Sequence, residues 1–443
     1  MISIEILLSF ISAFSLVLAV FLPKNKQAIV SLCFAIFIAF LGGCVYCGAA
    51  SELIAHSSAY PALNILIYIT GILCLIFTYY ENRLNANHSF ECYNLISFIT
   101  ISTSAIIAGI GNLVHLYVLL EWQAISSAIL LASSSNTKSS SESGIKYIIS
   151  GSLASIFILL GMAMIYLAQG NLQISSVDLE KPMHIVGYVL ILCGLFVKSG
   201  IFPFHVWVAD VYSGVKISYI NVVNTLPKIS LVYAVYYIFS VANFSVKVHD
   251  SLIVLLAIST ACAAIRCVSQ FDIKRIIAYS GAVNFGIITL YILVCHTKLD
   301  IRYGMFYFLT GYILANCLLS STCLQIFQRN DKLSIKNPLP HGRLLSIFLV
   351  IAMSSLLGMP PMVGFFAKIL LASHILIIKT VANIAVVMVI FLTTLLGSYY
   401  YFNIPASLIK LQSDGGIVSR NSIPMMAISA LLAGVILFGF AIL

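Results

Sequence analysis

Four charged side chains stand inside long apolar stretches: Glu121 in Leu-Tyr-Val-Leu-Leu-Glu-Trp-Gln, Lys198 in Gly-Leu-Phe-Val-Lys-Ser-Gly, Lys228 in Asn-Thr-Leu-Pro-Lys-Ile-Ser, and Lys368 in Gly-Phe-Phe-Ala-Lys. A charge at the centre of a membrane helix costs about 2.5–3.5 kcal/mol even on the lenient insertion scale. Snorkelling relieves that cost only near helix ends, and these residues are expected well inside their spans. One carboxylate among three ammonium groups suits proton transfer. Removal from water favours the neutral amine, and a nearby carboxylate restores the charged form. A Glu121–Lys198 pair that forms and separates would therefore switch the lysine between holding and releasing a proton. Lysines joined by water would make a relay, which His205, Tyr279 and Ser280 could extend. Two plainer readings stand beside this one. Glu121–Lys198 could be a static ion pair that orients helices, although that leaves Lys228 and Lys368 without a role, and His205 could be a packing histidine. A metal-cation substrate fits poorly, because such sites need several oxygen ligands, and anion transport gives Glu121 nothing to do. Arg266 is expected to be buried more shallowly, near the end of its span.

The elements that position these groups follow from composition. Of 443 residues, 61% are apolar and 8% charged, against about 45–50% and about 25% in soluble domains. A soluble enzyme, a disordered chain and a nucleic-acid binder are excluded. The expected fold is an all-α polytopic membrane protein. Apolar runs of membrane-spanning length number about fourteen, starting near Ile4, Ala28, Pro61, Tyr93, Asn112, Ile145, Ile185, Ser218, Ser251, Ile276, Tyr303, Leu344, Val381 and Ile423. Ile4–Leu22 lacks a basic start and a cleavage site, and reads as a retained first helix. Ser133–Ser143 and Arg329–Arg343 read as surface loops. The net charge of +9 matters through its placement. Fourteen Lys and Arg, among them Lys24, Arg83, Lys216 and Lys274, fall on the side opposite the termini and five on the termini side. The positive-inside rule then puts both termini outside. The eleven cysteines are scattered. Cys44 and Cys47 form a lone Cys-x-x-Cys without the further ligands a zinc or iron–sulfur site needs, and read as small buried side chains.

Two spans, the seventh and the twelfth, carry proline inside the apolar run, at Pro203 and at Pro360-Pro361, each with a lysine near the break. Interrupted helices at matching places in two halves point to an inverted repeat around a transport site; two unrelated proline kinks are the alternative. The expected divisions are a three-helix segment over 1–92, a first five-helix repeat over 93–243 (helices 4–8), a second, inverted one over 251–403 (helices 9–13), and a C-terminal helix over 421–443.

Four segments together resemble a known family: Leu119-Leu-Glu-Trp-Gln123; Gly194-Leu-Phe-Val-Lys198 with Pro203-Phe-His-Val-Trp-Val-Ala-Asp-Val-Tyr-Ser-Gly214; Gln270-Phe-Asp-Ile-Lys-Arg-Ile-Ile-Ala-Tyr-Ser280; and Gly358-Met-Pro-Pro-Met-Val-Gly-Phe-Phe-Ala-Lys368. The chain resembles the proton-pumping, antiporter-like subunits of respiratory complex I (NADH:ubiquinone oxidoreductase) and the related cation/proton antiporter subunits. Asp210-Val-Tyr-Ser-Gly214 and Pro227-Lys-Ile-Ser230 are similar to its chain 2 branch, the bacterial N-type chain. The resemblance implies that Glu121 and Lys198 are the modulating pair, Lys228 the central relay lysine and Lys368 the terminal one, with His205 beside the break. It implies a subunit of the H+-translocating NADH:ubiquinone reductase that performs no redox chemistry. NADH, FMN, iron–sulfur clusters and ubiquinone would be bound by other subunits. The implied partners are complex I membrane-arm subunits, neighbouring antiporter-like chains and membrane lipids, with no nucleic acid. Richness in Ile, Ser and Phe and short loops suit an organelle-encoded chain of the mitochondrial inner membrane, with termini toward the intermembrane space; a bacterial inner membrane is the alternative. Two departures stand out. Val215-Lys-Ile-Ser218 replaces a Pro-Thr-Pro-like stretch, and Asn284 stands where histidine is frequent, leaving water to link the half-channels there. A cation/proton antiporter subunit and a non-conducting membrane spacer are the competing functions.

Overall fold

A computed structural model describes residues 59–84, 91–109, 111–174, 182–201, 203–242, 244, 246–295, 301–326, 343–377, 381–409 and 423–438. The described residues form helices α1 (Ala59–Leu84), α2 (Glu91–Gly109), α3 (Leu113–Ala132), α4 (Lys138–Gln169), α5 (Pro182–Ser199), α6 (Val206–Ser213) and α7 (Ile217–Val241). They continue as α8 (Val246–Val268), α9 (Ile273–Cys295), α10 (Ile301–Ile326), α11 (Arg343–Leu357), α12 (Val363–Leu376), α13 (Val381–Ile409) and α14 (Ile423–Phe438). The only β-type pairing among them is an isolated bridge between Asn112 and Gln173. Nine of these helices are long and apolar enough to cross a membrane, and shorter apolar helices accompany them. The chain is a membrane protein with many apolar helices. A helix satisfies its backbone groups internally, as a hydrocarbon environment requires. Hydroxyls do the same by bonding back to their own helix, as Thr100 does to Ile96 O at 2.8 Å and Thr289 to Phe285 O at 3.0 Å.

Each expected span from Pro61 onward coincides with a helix or a broken pair. The two spans before it, Cys44 and Cys47, and most of the Arg329–Arg343 loop lie outside the described residues. The Ser133–Ser143 loop is shorter than expected, because α4 already begins at Lys138. Thr137 caps it, its hydroxyl accepting from Ser140 N at 3.4 Å, and Ser143 bonds back to Ser139 O at 2.9 Å. Capping and back-bonding turn a serine-rich run into a first helical turn.

Both breaks begin at a glycine in the left-handed region, Gly200 with φ 74° and Gly358 with φ 83°. That conformation ends a helix at little cost when no Cβ is present. Proline then follows and the chain re-enters a helix, α5 to α6 and α11 to α12.

At the centre lie α7 and α9, each buried over nearly all its length; α4 and α13 stand outside, mostly uncovered. Their outward side chains are apolar, among them Ile149, Ile156 and Leu167 on α4 and Phe391 and Leu395 on α13, as lipid contact demands. The α4–α5 pair packs through glycines. A Cβ on Gly161 would stand 2.5 Å from Gly187 O, and one on Gly194 would stand 2.7 Å from Ala154 O. Small residues at these points let the two backbones touch.

Candidate functional site

The first cluster joins three helices. Asn112 caps α3, its side chain accepting from Val114 N at 2.8 Å, and α3 carries Glu121 to the face of α5. There Lys198 Nζ lies 2.6 Å from Glu121 Oε1 and 3.4 Å from Leu120 O. Ser155 of α4 donates to the same carboxylate oxygen. The lysine side chain is 8% exposed and the glutamate 27%, so the carboxylate is the half of the pair nearer the outer surface. Lys198 occupies the last turn of α5, where the helix dipole favours a cation, and Trp207 Nε1 donates to the nearby Val197 O at 3.2 Å. The break thus does local work: it ends α5 beside the ammonium.

Lys228 is buried in the middle of α7. It follows Pro227, which removes one donor from the helix ladder, and its Nζ donates to Asn224 Oδ1 at 2.6 Å. Asn224 Nδ2 donates to Asn316 Oδ1 of α10 at 3.1 Å, and Tyr312 Oη donates to Asn224 O at 3.3 Å. Gly281 of α9 leaves the space that the ammonium occupies.

Lys368 lies beyond the second break, on α12. Its Nζ reaches back to Leu357 O at 2.8 Å and Leu356 O at 3.1 Å, the terminal carbonyls of α11. An ammonium there satisfies orphan acceptors and meets the negative end of the helix. The two lysines therefore stand on opposite sides of their breaks, one on the half-helix that ends and the other on the half-helix that begins. Lys368 also lines a small cavity, with room for about one water, together with Asn284, Tyr312, Ser355 and Gly364. Tyr312 lines this cavity and also donates to Asn224, the residue that accepts from Lys228.

His205 is buried just before α6, its ring centroid 6.0 Å from that of Tyr279 of α9. Arg266, expected to be shallowly buried, is instead exposed near the end of α8, a helix whose apolar span is less than half covered by its neighbours. Sequence reasoning passed over Asn224, Asn316 and Tyr312, which are uncharged; polar residues at helical spacing from Lys228 would have marked Asn224. Lys274, expected in a loop, is buried, and Glu81, not singled out in the sequence, is buried as well. A second buried network joins Gln123 of α3 to Thr103 of α2 at 2.8 Å and to Ser230 of α7 at 2.9 Å. Among the described residues, no group of three His, Cys, Asp or Glu could hold a metal ion.

The family described as NADH:quinone oxidoreductase/Mrp antiporter, TM, matches residues 111–397, which include Glu121, Lys198, His205, Lys228 and Lys368. The chain belongs to this family. It is similar to an NADH-quinone oxidoreductase subunit N of Coxiella burnetii, 28% identical over 361 residues that cover 77% of this chain and 73% of that one. The fold is shared with a chain of respiratory complex I from Thermus thermophilus, at a TM-score of 0.77 and 22% identity, covering 98% of this chain and 97% of that one. A chain of the membrane-bound sulfane sulfur reductase, an archaeal respiratory membrane complex, superimposes at a TM-score of 0.86 with 20% identity, covering 99% and 94%.

Proposed function

We propose that this family member is a proton-translocating membrane-arm subunit of an NADH:quinone oxidoreductase; its relatives named NADH-quinone oxidoreductase subunit N support the reading. The observation that carries the reading is Lys228: a buried ammonium beside Pro227 on α7, hydrogen-bonded to Asn224, whose backbone carbonyl accepts from Tyr312, a residue that also lines the cavity beside Lys368. In this reading Glu121 modulates Lys198, Lys228 is the central relay group, Lys368 the terminal one, and His205 assists beside the break. NADH, FMN, iron–sulfur clusters and ubiquinone belong to other subunits, and the partners are neighbouring antiporter-like chains. The bundle comprises about fourteen spans in two inverted five-helix repeats, over 93–243 and 251–403, preceded by the segment 1–92 and followed by a helix over 421–443. The Arg83, Lys216 and Lys274 end faces the side where the positive-inside rule places basic loops, and the termini face the other. Relatives such as the Coxiella protein favour a bacterial inner membrane over the mitochondrial one.

A second reading, a subunit of a cation/proton antiporter, is supported by the family description itself, which spans both classes. Purification separates the two: isolation with NADH dehydrogenase subunits is expected, and isolation without them would favour the antiporter. The mechanism is tested by Lys228→Met in the assembled complex, where methionine fills a similar apolar volume. Coupled proton movement is expected to be lost with assembly retained. Normal pumping by the variant would refute the relay.

A further inference from the structure

Glu81 is a buried carboxylate that the relay leaves unused. It lies in the last turn of α1, 9% exposed, and accepts hydrogen bonds from the Ser218 backbone N–H at 3.1 Å and from the Ser218 hydroxyl. Ser218 lies in the first turn of α7, so this carboxylate stands at the head of the helix that carries Lys228. Lys216 and Lys274 are close enough to act on it electrostatically. From Ser218, one face of α7 is polar: Asn221, Asn224, Thr225 and Lys228 follow at helical steps, and all are buried. Asn221 Nδ2 meets only weak acceptors, Cys74 Sγ at 3.5 Å and Cys317 Sγ at 3.8 Å. Its Oδ1 is buried with no partner among the described residues, an acceptor suited to an ordered water. The stripe runs about 15 Å along the helix axis. A carboxylate that only capped α7 would need none of it, and burying polar groups at this depth is costly unless they are used.

We propose that Glu81 is the proton-loading group for Lys228. A proton from water at the Arg83–Lys216 end bonds to a Glu81 carboxylate oxygen. That O–H bond then breaks toward water held by Ser218, Asn221 and Asn224, and one proton arrives on the neutral Lys228 amine, whose new N–H donates to Asn224. One proton moves and no electrons are exchanged. The inference rests on the reading of Lys228 as a relay group, and the test separates the two.

In the assembled complex, in sealed vesicles, protons moved per NADH oxidised are measured for Glu81→Gln, Glu81→Asp, Asn221→Leu and Lys228→Met. Glutamine keeps an acceptor for Ser218 N–H but cannot load a proton; aspartate can load one but reaches less far as a cap. The expected result is that Glu81→Gln falls to the level of Lys228→Met, Glu81→Asp recovers most of the wild-type ratio, and Asn221→Leu loses most of it. If Glu81→Gln pumps as wild type, or outperforms Glu81→Asp, the carboxylate is a cap and the proposal is overturned while Lys228 keeps its role. If Lys228→Met pumps normally, the underlying reading falls. Should Glu81→Gln not assemble, normal pumping by Asn221→Leu overturns the proposal.

Discussion

Gly281→Ala tests whether the position of the Lys228 ammonium matters for proton transfer. A Cβ at this position on α9 would stand 2.6 Å from Asn224 Oδ1 and 3.1 Å from Tyr312 Oη, and closer still to Lys228 Nζ. Unstrained carbon contacts lie at about 3.5–4.0 Å. Because α9 is buried over nearly its whole length, the helix cannot retreat, and the flexible end of Lys228 must move instead. The ammonium then gives up its 2.6 Å bond to Asn224. A hydrogen bond to a charged group contributes about 1.5–3 kcal/mol net, so the seated position loses roughly 10- to 150-fold in population. Alanine returns about 0.8–1.0 kcal/mol of helix propensity, which keeps the fold close to wild-type stability. The assay is dye-reported proton uptake against NADH oxidation in sealed vesicles carrying the assembled complex. Coupled uptake is expected to fall about tenfold or more at normal assembly. Gly151→Ala, where an added Cβ meets nothing within 4 Å, should leave it unchanged. Wild-type uptake in Gly281→Ala would refute the reasoning, because the seat of the ammonium would then be irrelevant to transfer.

Other substitutions probe the first cluster and the packing. Glu121→Gln preserves an acceptor for Lys198 and Ser155 but exchanges an ionic bond for a neutral one, a loss of about 1 kcal/mol. The coupled rate is expected to fall roughly fivefold, and complete loss in the same vesicle assay would instead make Glu121 a proton carrier. Gly194→Ala drives a methyl to 2.7 Å from Ala154 O, so the α4–α5 interface must part at about 1–3 kcal/mol. Thermal melting of the complex should drop, and an unchanged melting temperature would count against the close backbone contact.

The helical architecture and both breaks were legible in the chain itself. Long apolar runs allow only helices at membrane depth, and Gly200 with Pro203 and Gly358 with Pro360 are the residues that end and restart them. Glu121, Lys198, Lys228 and Lys368 were legible for the same energetic reason, since a charge in an apolar run stands out against its cost. Pairing of Glu121 with Lys198 is expected from the sequence, and the two lie 2.6 Å apart. The partners of the other two lysines were not legible: that Lys228 meets Asn224 in a network reaching Asn316, and that Lys368 reaches back to the carbonyls of Leu356 and Leu357, depends on which helices lie side by side. Uncharged groups such as Asn224, Asn316 and Tyr312 gain their meaning only from that adjacency.

Charges near helix ends show the limit most clearly. Lys274 reads as a loop residue yet is buried, and Arg266 reads as partly buried yet is exposed. Hydropathy reports how a residue would partition between water and an apolar medium. It does not distinguish lipid from protein, because both are apolar to a helix. Thus α9 at the centre and α13 at the rim have nearly the same mean hydropathy, 1.8 and 1.9. The sequence by itself determined that the chain spans a membrane, where its helices break and which charges are out of place. Only the tertiary structure decided which helices surround α7, and so which side chains face Lys228, because packing between apolar helices depends on shape and hydrogen bonding rather than on hydrophobicity.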